Sequence, residues 1–323
     1  MYRSQQLKTE INIVFDDGGL GDCIARLPAI HYITKNHPHV WVHLWIPDYF
    51  YFFAKRSLKK SRHIILYKYS EHKKKFQKRF TRAFSPHKHS NLAYHMTDHA
   101  FNILTNKQVL DSNDKNYLKV DIKDVSVKKF NLPGKYVVIT TAYTAAAREF
   151  KPEHINKIVD YVIERGYTPV FLGKKMTHSG YKYIIEGTIK EDEINFSKGV
   201  DLLDQTSLLE AAKICENSQC VLGLDNGLLH VAACTDVPVV AGYNIVQPEY
   251  RMPYREGVLG KDIYPVVPPK SLKCRFCQGN WGFCYNKKDG SDSHSFTTCW
   301  YSDYKCLDEL NADLYIKELE KIL

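Results

Sequence analysis

Apolar residues along this chain alternate between short continuous runs and stretches with helical spacing. Residues 11–15 form one apolar run, a glycine-rich loop follows, and apolar residues at positions 24, 27, 30 and 33 then share one helix face. Two further runs, 40–46 and 64–67, predict strands. The pattern predicts that the chain begins with a strand, a glycine-rich loop and a helix, followed by more strands.

A second series of the same kind begins after a stretch with few periodic features. It predicts strands at 136–140, 168–172, 219–222 and 237–241, with helices at 152–165 and 207–215 and a final helix over 307–323. Residues 131–134 (N-L-P-G) are a turn signal. We therefore expect two doubly wound α/β domains, residues 1–134 and 135–323.

The ends of the predicted strands carry most of the candidate chemistry. In doubly wound sheets ligands bind at the carboxyl ends of the strands, which here hold Asp22, Thr140, Thr141 and residues 225–227. Residues 221–233 (V-L-G-L-D-N-G-L-L-H-V-A-A) predict a turn at 223–227 and a helix from residue 228, capped by Asp225 or Asn226. An uncovered helix start beside a glycine binds phosphate, and His230 lies one turn in. The alternative is a buried turn in which His230 belongs to the core.

Composition places the chain among soluble globular proteins. Its 323 residues are 44% hydrophobic, no apolar run approaches the roughly 20 residues of a membrane span, and the first ten residues lack a signal-peptide core. We therefore expect a cytoplasmic location. The formal charge of +9 is concentrated: residues 55–90 hold thirteen Lys and Arg against one acid. This indicates either a polyanionic partner or a solvated basic helix face, and Phe76, Phe80 and Phe84 recur there as a helical stripe.

Four of these stretches, in this order, resemble glycosyltransferase family 9, the lipopolysaccharide heptosyltransferases of GT-B fold. The stretches are residues 19–22 (G-L-G-D) with 27–29, residues 140–141 with 148–152, residues 207–212, and residues 225–233 (D-N-G-L-L-H-V-A-A). The resemblance covers roughly residues 10 to 245. It implies two facing Rossmann-like domains, the first binding the acceptor and the second a nucleotide sugar, with a Cys-rich segment at 270–306 and a final helix in the second.

The resemblance also implies roles for individual residues. Asp22, in a loop with Gly19 and Gly21, would be the general base that deprotonates the acceptor hydroxyl, with Asp16 and Asp17 as alternatives. The residues expected to hold the donor diphosphate without a catalytic metal are Thr140, Thr141, Arg148, Asp225, Asn226, Gly227 and His230. The position of Arg148 is commonly Lys in the family. Residues 173–178 lack the acidic residue that often binds the donor ribose, which leaves the donor base and sugar open.

The cysteines near the C-terminus have the spacing of a tetrahedral metal site. Some relatives, the autotransporter heptosyltransferases, hold iron on four cysteines. We expect a structural Zn or Fe on Cys274, Cys277, Cys284 and Cys306, with Cys299 as the alternative ligand. The competing interpretation is a set of reduced thiols with no metal.

The acceptor is the least determined part of the prediction. We expect Lys73, Lys74, Lys75, Lys78 and Arg79 to contact it. Their charge density favours a nucleic acid, namely a hydroxymethylated base in DNA. The alternative is a phosphorylated lipopolysaccharide core, and a second alternative is a non-catalytic GT-B protein that binds a nucleotide or DNA.

Overall fold

In the computed structural model, the described residues are 9–15, 19–71, 78–79, 95–105, 110–141, 148, 150–175, 193–277 and 303–323. They confirm a mixed α/β fold with parallel sheets. The chain divides into two compact units, which are treated one at a time. The first contains the described residues within 1–83, 94–123 and 253–261, and the second those within 124–252 and 262–323. The boundary expected between independent domains, at residues 134 and 135, stays a prediction.

The first unit is built on a parallel sheet. Its described strands have the order β3-β2-β1-β4, with Ile13 opposite Leu44 and Val42 opposite Ile64. Helix α1 packs against α3. The elements of this unit up to residue 105 are β1 Thr9–Val14, α1 Leu20–Asn36, β2 Val40–Ile46, α2 Tyr51–Ser57, β3 Ile64–Lys68, β4 Lys78–Arg79 and α3 Met96–Thr105.

The second unit contains a larger parallel sheet. Its described strands have the order β12-β9-β8-β5-β6-β7. The elements within residues 136–242 are β5 Tyr136–Thr140, α4 Pro152–Glu164, β6 Thr168–Leu172, β7 Val200–Asp201, α5 Leu208–Glu216, β8 Val221–Leu224, α6 Gly227–Ala233 and β9 Val239–Gly242. Those that follow in this unit are α7 Pro248–Arg251, β12 Ile263–Val266, α8 Lys305–Glu309 and α9 Ala312–Leu319.

A hairpin that follows α7 belongs to the first unit, although it lies late in the chain. Its strands, β10 Tyr254–Arg255 and β11 Val258–Leu259, pair antiparallel. The N–H of Gly257 donates to Oδ1 of Asn116 at 2.7 Å, and Gly257 has a φ of +75° that favours glycine. The sequence pattern did not predict this return to the first unit.

Three predicted elements differ from the structure. Gly223 lies inside β8, opposite Ala241, and not in a turn, because the strand continues to Leu224. The final helix is two helices, because Asn311 accepts the N–H groups of Asp313 and Leu314 and so starts a new helix at Ala312. Residues 78–79 of the expected amphipathic helix form β4, while Phe76, Phe80 and Phe84 lie outside the described residues.

Candidate functional site

The parallel pairing of β5 and β8 brings two predicted stretches together. Thr140 lies opposite Gly223, so the residues after each strand meet at the same edge of the sheet. A Cβ on Gly223 would collide with the side chain of Thr140 and lie 2.8 Å from its carbonyl oxygen. A glycine is therefore required at this position for the strands to approach so closely.

Asn226 ties the two strand ends to each other. Its Nδ2 donates to Oγ1 of Thr140 at 2.9 Å, and its Oδ1 accepts the N–H groups of Leu228 and Leu229 at 2.9 and 3.2 Å. Of the two expected caps, Asn226 is the one that caps α6. Asn226 thereby takes up two free N–H groups of the first turn of α6, and the binding of phosphate at this helix start stays a prediction.

Asp225 is the centre of a buried charge cluster. Nη1 of Arg148 lies 3.9 Å from its Oδ2, and Nε2 of His230 lies 3.5 Å from its Oδ1. Burial alone would raise the pKa of Asp225, but the hydrogen bond with His230 and the charges of Arg148 and Arg251 outweigh it, so the pKa lies well below its usual range. Asp225 is therefore an ionised carboxylate surrounded by groups that also bind phosphate.

Arg251 is a member of this cluster that the sequence pattern did not predict. It is 5% exposed, and its charge acts on Asp225 from α7, beyond the end of β9. A four-residue helix has no periodicity that marks an inward side. Only the chain path after β9 brings this arginine to the site.

Thr141 presents a polar atom with no partner. The residue is 7% exposed, and its Oγ1 is buried without a hydrogen-bond partner among the described residues. Buried hydroxyls nearly always make a hydrogen bond, so a bound ligand would explain a buried hydroxyl at a strand end that makes none. It lies in sequence directly beside Thr140, whose hydroxyl is already bonded to Asn226.

Asp22 lies on the first turn of α1 in the other unit. Its Oδ2 accepts the N–H of Gly19 at 2.8 Å, and the side chain is half-buried. Asp22 therefore caps its own helix, and its role as the base stays a prediction. Gly21 is buried on the same turn, while Asp16 and Asp17 lie outside the described residues.

Helix α1 carries a second polar group, which the sequence pattern did not predict to be buried. Arg26 is 2% exposed, and its guanidinium carbon lies 5.4 Å from the ring centre of Phe15. Its place one turn after Asp22 was visible in the sequence, but nothing in the pattern distinguishes a buried arginine from a solvated one.

The predicted acceptor-binding cations are largely beyond what the structure describes. Lys73, Lys74 and Lys75 lie outside the described residues, and only the backbone of Lys78 and Arg79 is described, as β4. Their role stays a prediction.

The described cysteines near the C-terminus lie in neighbouring apolar clusters. Cys306 packs with Leu272 and Leu307, and Cys274 packs against that cluster, whereas Cys277 packs against Ile245 and Val246. Tyr304 contacts both clusters. Cys284 and Cys299 lie outside the described residues. Within the described part of the chain, no group of three or more His, Cys, Asp or Glu is arranged to hold a metal ion.

The chain is similar to glycosyltransferases of one known family. The model of glycosyltransferase family 9 (heptosyltransferase) matches residues 58–261, more than half of the chain. The chain belongs to glycosyltransferase family 9. The resemblance inferred from the four sequence stretches is thereby confirmed. No helix in the described ranges is long and apolar enough to cross a membrane.

Two curated relatives match part of the chain. Lipooligosaccharide heptosyltransferase 2 of Haemophilus influenzae is 28% identical over 33% of this chain and 30% of its own length. Lipopolysaccharide heptosyltransferase 2 of Escherichia coli is 26% identical over 53% of this chain and 44% of its own length. The chain thus spans less than half the length of these relatives.

A solved structure shows the same fold over almost the whole chain. TibC from enterotoxigenic E. coli, described as an iron-containing dodecameric glycosyltransferase, aligns with a TM-score of 0.69 at 14% identity, covering 98% of this chain and 77% of its own. A second structure of TibC, in complex with ADP-D-beta-D-heptose, aligns at 0.68 with 14% identity, covering 98% and 76%. At this identity the likeness establishes the fold alone.

Proposed function

We propose that this member of glycosyltransferase family 9 is an inverting heptosyltransferase, which moves a heptose from a nucleotide diphosphate sugar to a phosphorylated lipopolysaccharide core. The names of the two curated relatives support this acceptor class, and the complex of TibC with ADP-D-beta-D-heptose supports the donor class. We also propose that the two compact units are the acceptor and donor domains of a GT-B enzyme. A cytoplasmic location stays a prediction.

The cluster around Asp225 is the observation that carries the proposal. The charges of Arg148 and Arg251 act on Asp225, which follows β8, and Thr141, whose buried hydroxyl has no partner among the described residues, follows the neighbouring strand β5. Such groups compensate the negative charge that grows on a departing diphosphate. In this proposal Asp225 holds the cations in place through its own charge and would accept a hydrogen bond from a sugar hydroxyl.

Asp22 would complete the reaction as the general base. The acceptor oxygen attacks the anomeric carbon while its proton passes to the carboxylate, and the bond to the diphosphate breaks on the opposite side. Such a displacement inverts the anomeric centre. The hydrogen bond from Gly19 holds the carboxylate in a fixed orientation during this step.

The experiment uses the full chain with ADP-heptose and a phosphorylated lipopolysaccharide core, and measures release of ADP and the mass of the product. Asp22→Asn retains an oxygen for the N–H of Gly19, so helix capping is preserved and only the base is lost. We expect kcat to fall about 10²- to 10⁴-fold. The matched control is Glu210→Gln, because Glu210 caps α5 in the same way through the N–H of Ser207. Equal turnover in Asp22→Asn and Glu210→Gln contradicts the role of Asp22.

Arg148 offers a separate test of the donor side. Arg148→Lys keeps a cation of the kind common in the family, and we expect it to retain most activity. Arg148→Met removes the charge and is expected to lower kcat/KM by roughly 10²-fold, as for loss of a charge-stabilising donor. Equal activity of the Lys and Met variants would show that this charge does not act on the diphosphate.

A DNA acceptor is the second candidate, and one observation favours it. Residues 55–90 carry thirteen Lys and Arg against one acid. The family and the relatives favour the glycan over the hydroxymethylated base that this charge suggested. A salt titration of duplex binding separates the two, because phosphate contacts give an affinity that falls steeply with salt. If the chain binds a nucleotide sugar but releases no ADP with either acceptor, the remaining alternative, a non-catalytic GT-B binding protein, is supported.

A structural metal on the C-terminal cysteines is proposed independently of the reaction. The thiol set suits Zn or Fe, and Cys274 and Cys306 pack in one cluster. Cys277 belongs to the neighbouring cluster, and the proposed ligand Cys284 lies outside the described residues. Elemental analysis of the purified chain, repeated on Cys306→Ser, tests it. Absence of stoichiometric metal in the unaltered chain supports the alternative of reduced thiols.

A further inference from the structure

A face of the first unit exposes aromatic side chains that the proposed reaction does not use. The helical segment that begins with the short turn Asp48–Phe50 and continues as α2 buries Phe50 and Phe53 on one side. On its other side, Tyr49 is 51% exposed and Phe52 60% exposed. Three-residue spacing places Tyr49, Phe52 and Lys55 on one stripe, so the segment is amphipathic with an unusual outer face.

A neighbouring turn adds a third exposed aromatic ring. Ser70 donates its N–H and its hydroxyl to the two carboxylate oxygens of Asp48, at 3.1 and 2.6 Å. These bonds hold Tyr69, which is 44% exposed, beside the start of the helical segment. Tyr49, Phe52 and Tyr69, together with Lys55 on α2 and Lys60 three residues after α2, are called the aromatic–basic patch below. Isolated exposed apolar residues are ordinary, but three large exposed rings on one short helical segment and the turn bonded to it mark an interaction surface.

The stretch of chain that carries these rings has a net positive charge. Residues 48–71 carry six Lys and Arg against two acids. Lys55, Lys60 and Arg62 are exposed, whereas Lys59 is paired with Asp121 at 2.6 Å. Aromatic rings among exposed cations on an amphipathic helix are typical of segments that lie in the interface of an anionic membrane. A second copy of the chain is less compatible, because a two-fold contact would bring these cations against themselves.

We propose that the aromatic–basic patch docks the enzyme on an anionic phospholipid surface, with Phe52, Tyr49 and Tyr69 inserted among the headgroups and Lys55 and Lys60 against lipid phosphates. This orientation fits the proposed function, because a lipopolysaccharide core is presented on a membrane. The docking does not depend on the transfer reaction. It identifies the partner of the patch as a membrane surface.

The test measures co-sedimentation of the full chain with vesicles of phosphatidylcholine alone and of phosphatidylcholine mixed with phosphatidylglycerol. Binding is expected to the mixed vesicles, and to weaken with added salt. Phe52→Ser is expected to weaken the partition coefficient about tenfold. Lys55→Gln and Lys60→Gln are each expected to weaken it about fivefold at low salt. Ile163→Ser, at a 42% exposed residue on α4, and Lys270→Gln are the matched controls.

Two further measurements separate membrane docking from a defect in transfer and from self-association. Turnover on a delipidated, soluble core oligosaccharide should be the same for Phe52→Ser and the unaltered chain, so loss of docking and failure of the proposed transfer are distinguishable. Sedimentation velocity without vesicles should show an unchanged oligomeric state. The proposal is overturned if the unaltered chain does not bind the mixed vesicles, or if Phe52→Ser binds them as well as Ile163→Ser does. It is also overturned if the Phe52→Ser chain has a smaller oligomeric state than the unaltered chain. If a variant folds poorly, the weakening of vesicle binding by the unaltered chain as salt is added still tests the proposal.

Discussion

Replacing Asp225 by Asn removes the one negative charge at the centre of the cluster while keeping its shape. Arg148 lies 3.9 Å away, Arg251 also acts on the carboxylate, and Asp225 is 7% exposed. At an effective dielectric constant of about 20, unit charges at this distance attract by roughly 4 kcal/mol. Because the substitution leaves buried cations uncompensated, we expect a loss of about 3–5 kcal/mol in the free energy of unfolding at neutral pH. The midpoint of thermal unfolding should fall by roughly 10 °C.

The pH dependence of this loss has a defined sign. The pKa of Asp225 is lower in the folded chain than in the unfolded chain, so its stabilisation is complete above the unfolded pKa and is lost as the pH falls toward the folded one. The difference in stability between the unaltered chain and Asp225→Asn should therefore be constant near neutral pH. It should shrink below about pH 4, where the unfolded carboxylate is protonated.

Urea denaturation followed by circular dichroism measures both effects. The matched control is Asp160→Asn, because Asp160 is an exposed carboxylate of the same unit that pairs with Lys198 on the surface. That pair should contribute less than about 1 kcal/mol. The reasoning is refuted if Asp225→Asn costs no more than Asp160→Asn, or if its cost is unchanged at about pH 3.

Three further substitutions test buried contacts within the two units, each by urea denaturation. Tyr315→Phe should be neutral or stabilise the chain by about 1 kcal/mol, because the hydroxyl is buried without a hydrogen-bond partner among the described residues; a clear loss would contradict this. Gly223→Ala should cost about 1–3 kcal/mol through its collision with Thr140, whereas Gly134→Ala, with open space around it, should not destabilise. Thr97→Val should cost about 1–3 kcal/mol by removing the buried bond from Oγ1 to the carbonyl of Ala25, and Thr97→Ser, which retains the hydroxyl, should cost less.

The regular elements of the second unit were predictable because their patterns are local. Helix α4 places Ile155, Ile158, Val159 and Val162 at intervals of three and four, and all of them are buried. Strand β5 is an apolar run that ends at Thr140, and all of it is buried between its neighbours. Pro152 and Gly166 mark the two ends of the helical region. Periodicity and end signals of this kind lie within a few residues of one another, so a sequence alone contains them.

Elements that depend on distant contacts were not predictable in the same way. Gly223 reads as a turn residue, but in the sheet it is a strand residue whose missing side chain makes room for Thr140. The hairpin around Gly257 returns to the first unit through Asn116, a contact across 141 positions of the chain. A local sequence pattern does not predict a hydrogen-bond partner so far away in the chain.

The candidate site shows the same division. The sequence by itself determined which residue types stand at the ends of the strands: hydroxyls at Thr140 and Thr141, and the acid and amide at Asp225 and Asn226. It also placed Asp22 at the start of a helix. These positions follow from the order of the elements, because parallel strands bring their carboxyl ends to one edge.

Only the tertiary structure decided how those residues act on one another. In the folded chain Asn226 donates to Thr140 and caps α6, and the hydroxyl of Thr141 has no partner among the described residues. The tertiary structure also added Arg251 to the charge of Asp225. The physical reason is that hydrogen bonds and buried charges depend on distances of a few ångströms between residues far apart in the chain, and those distances exist only after the strands have paired.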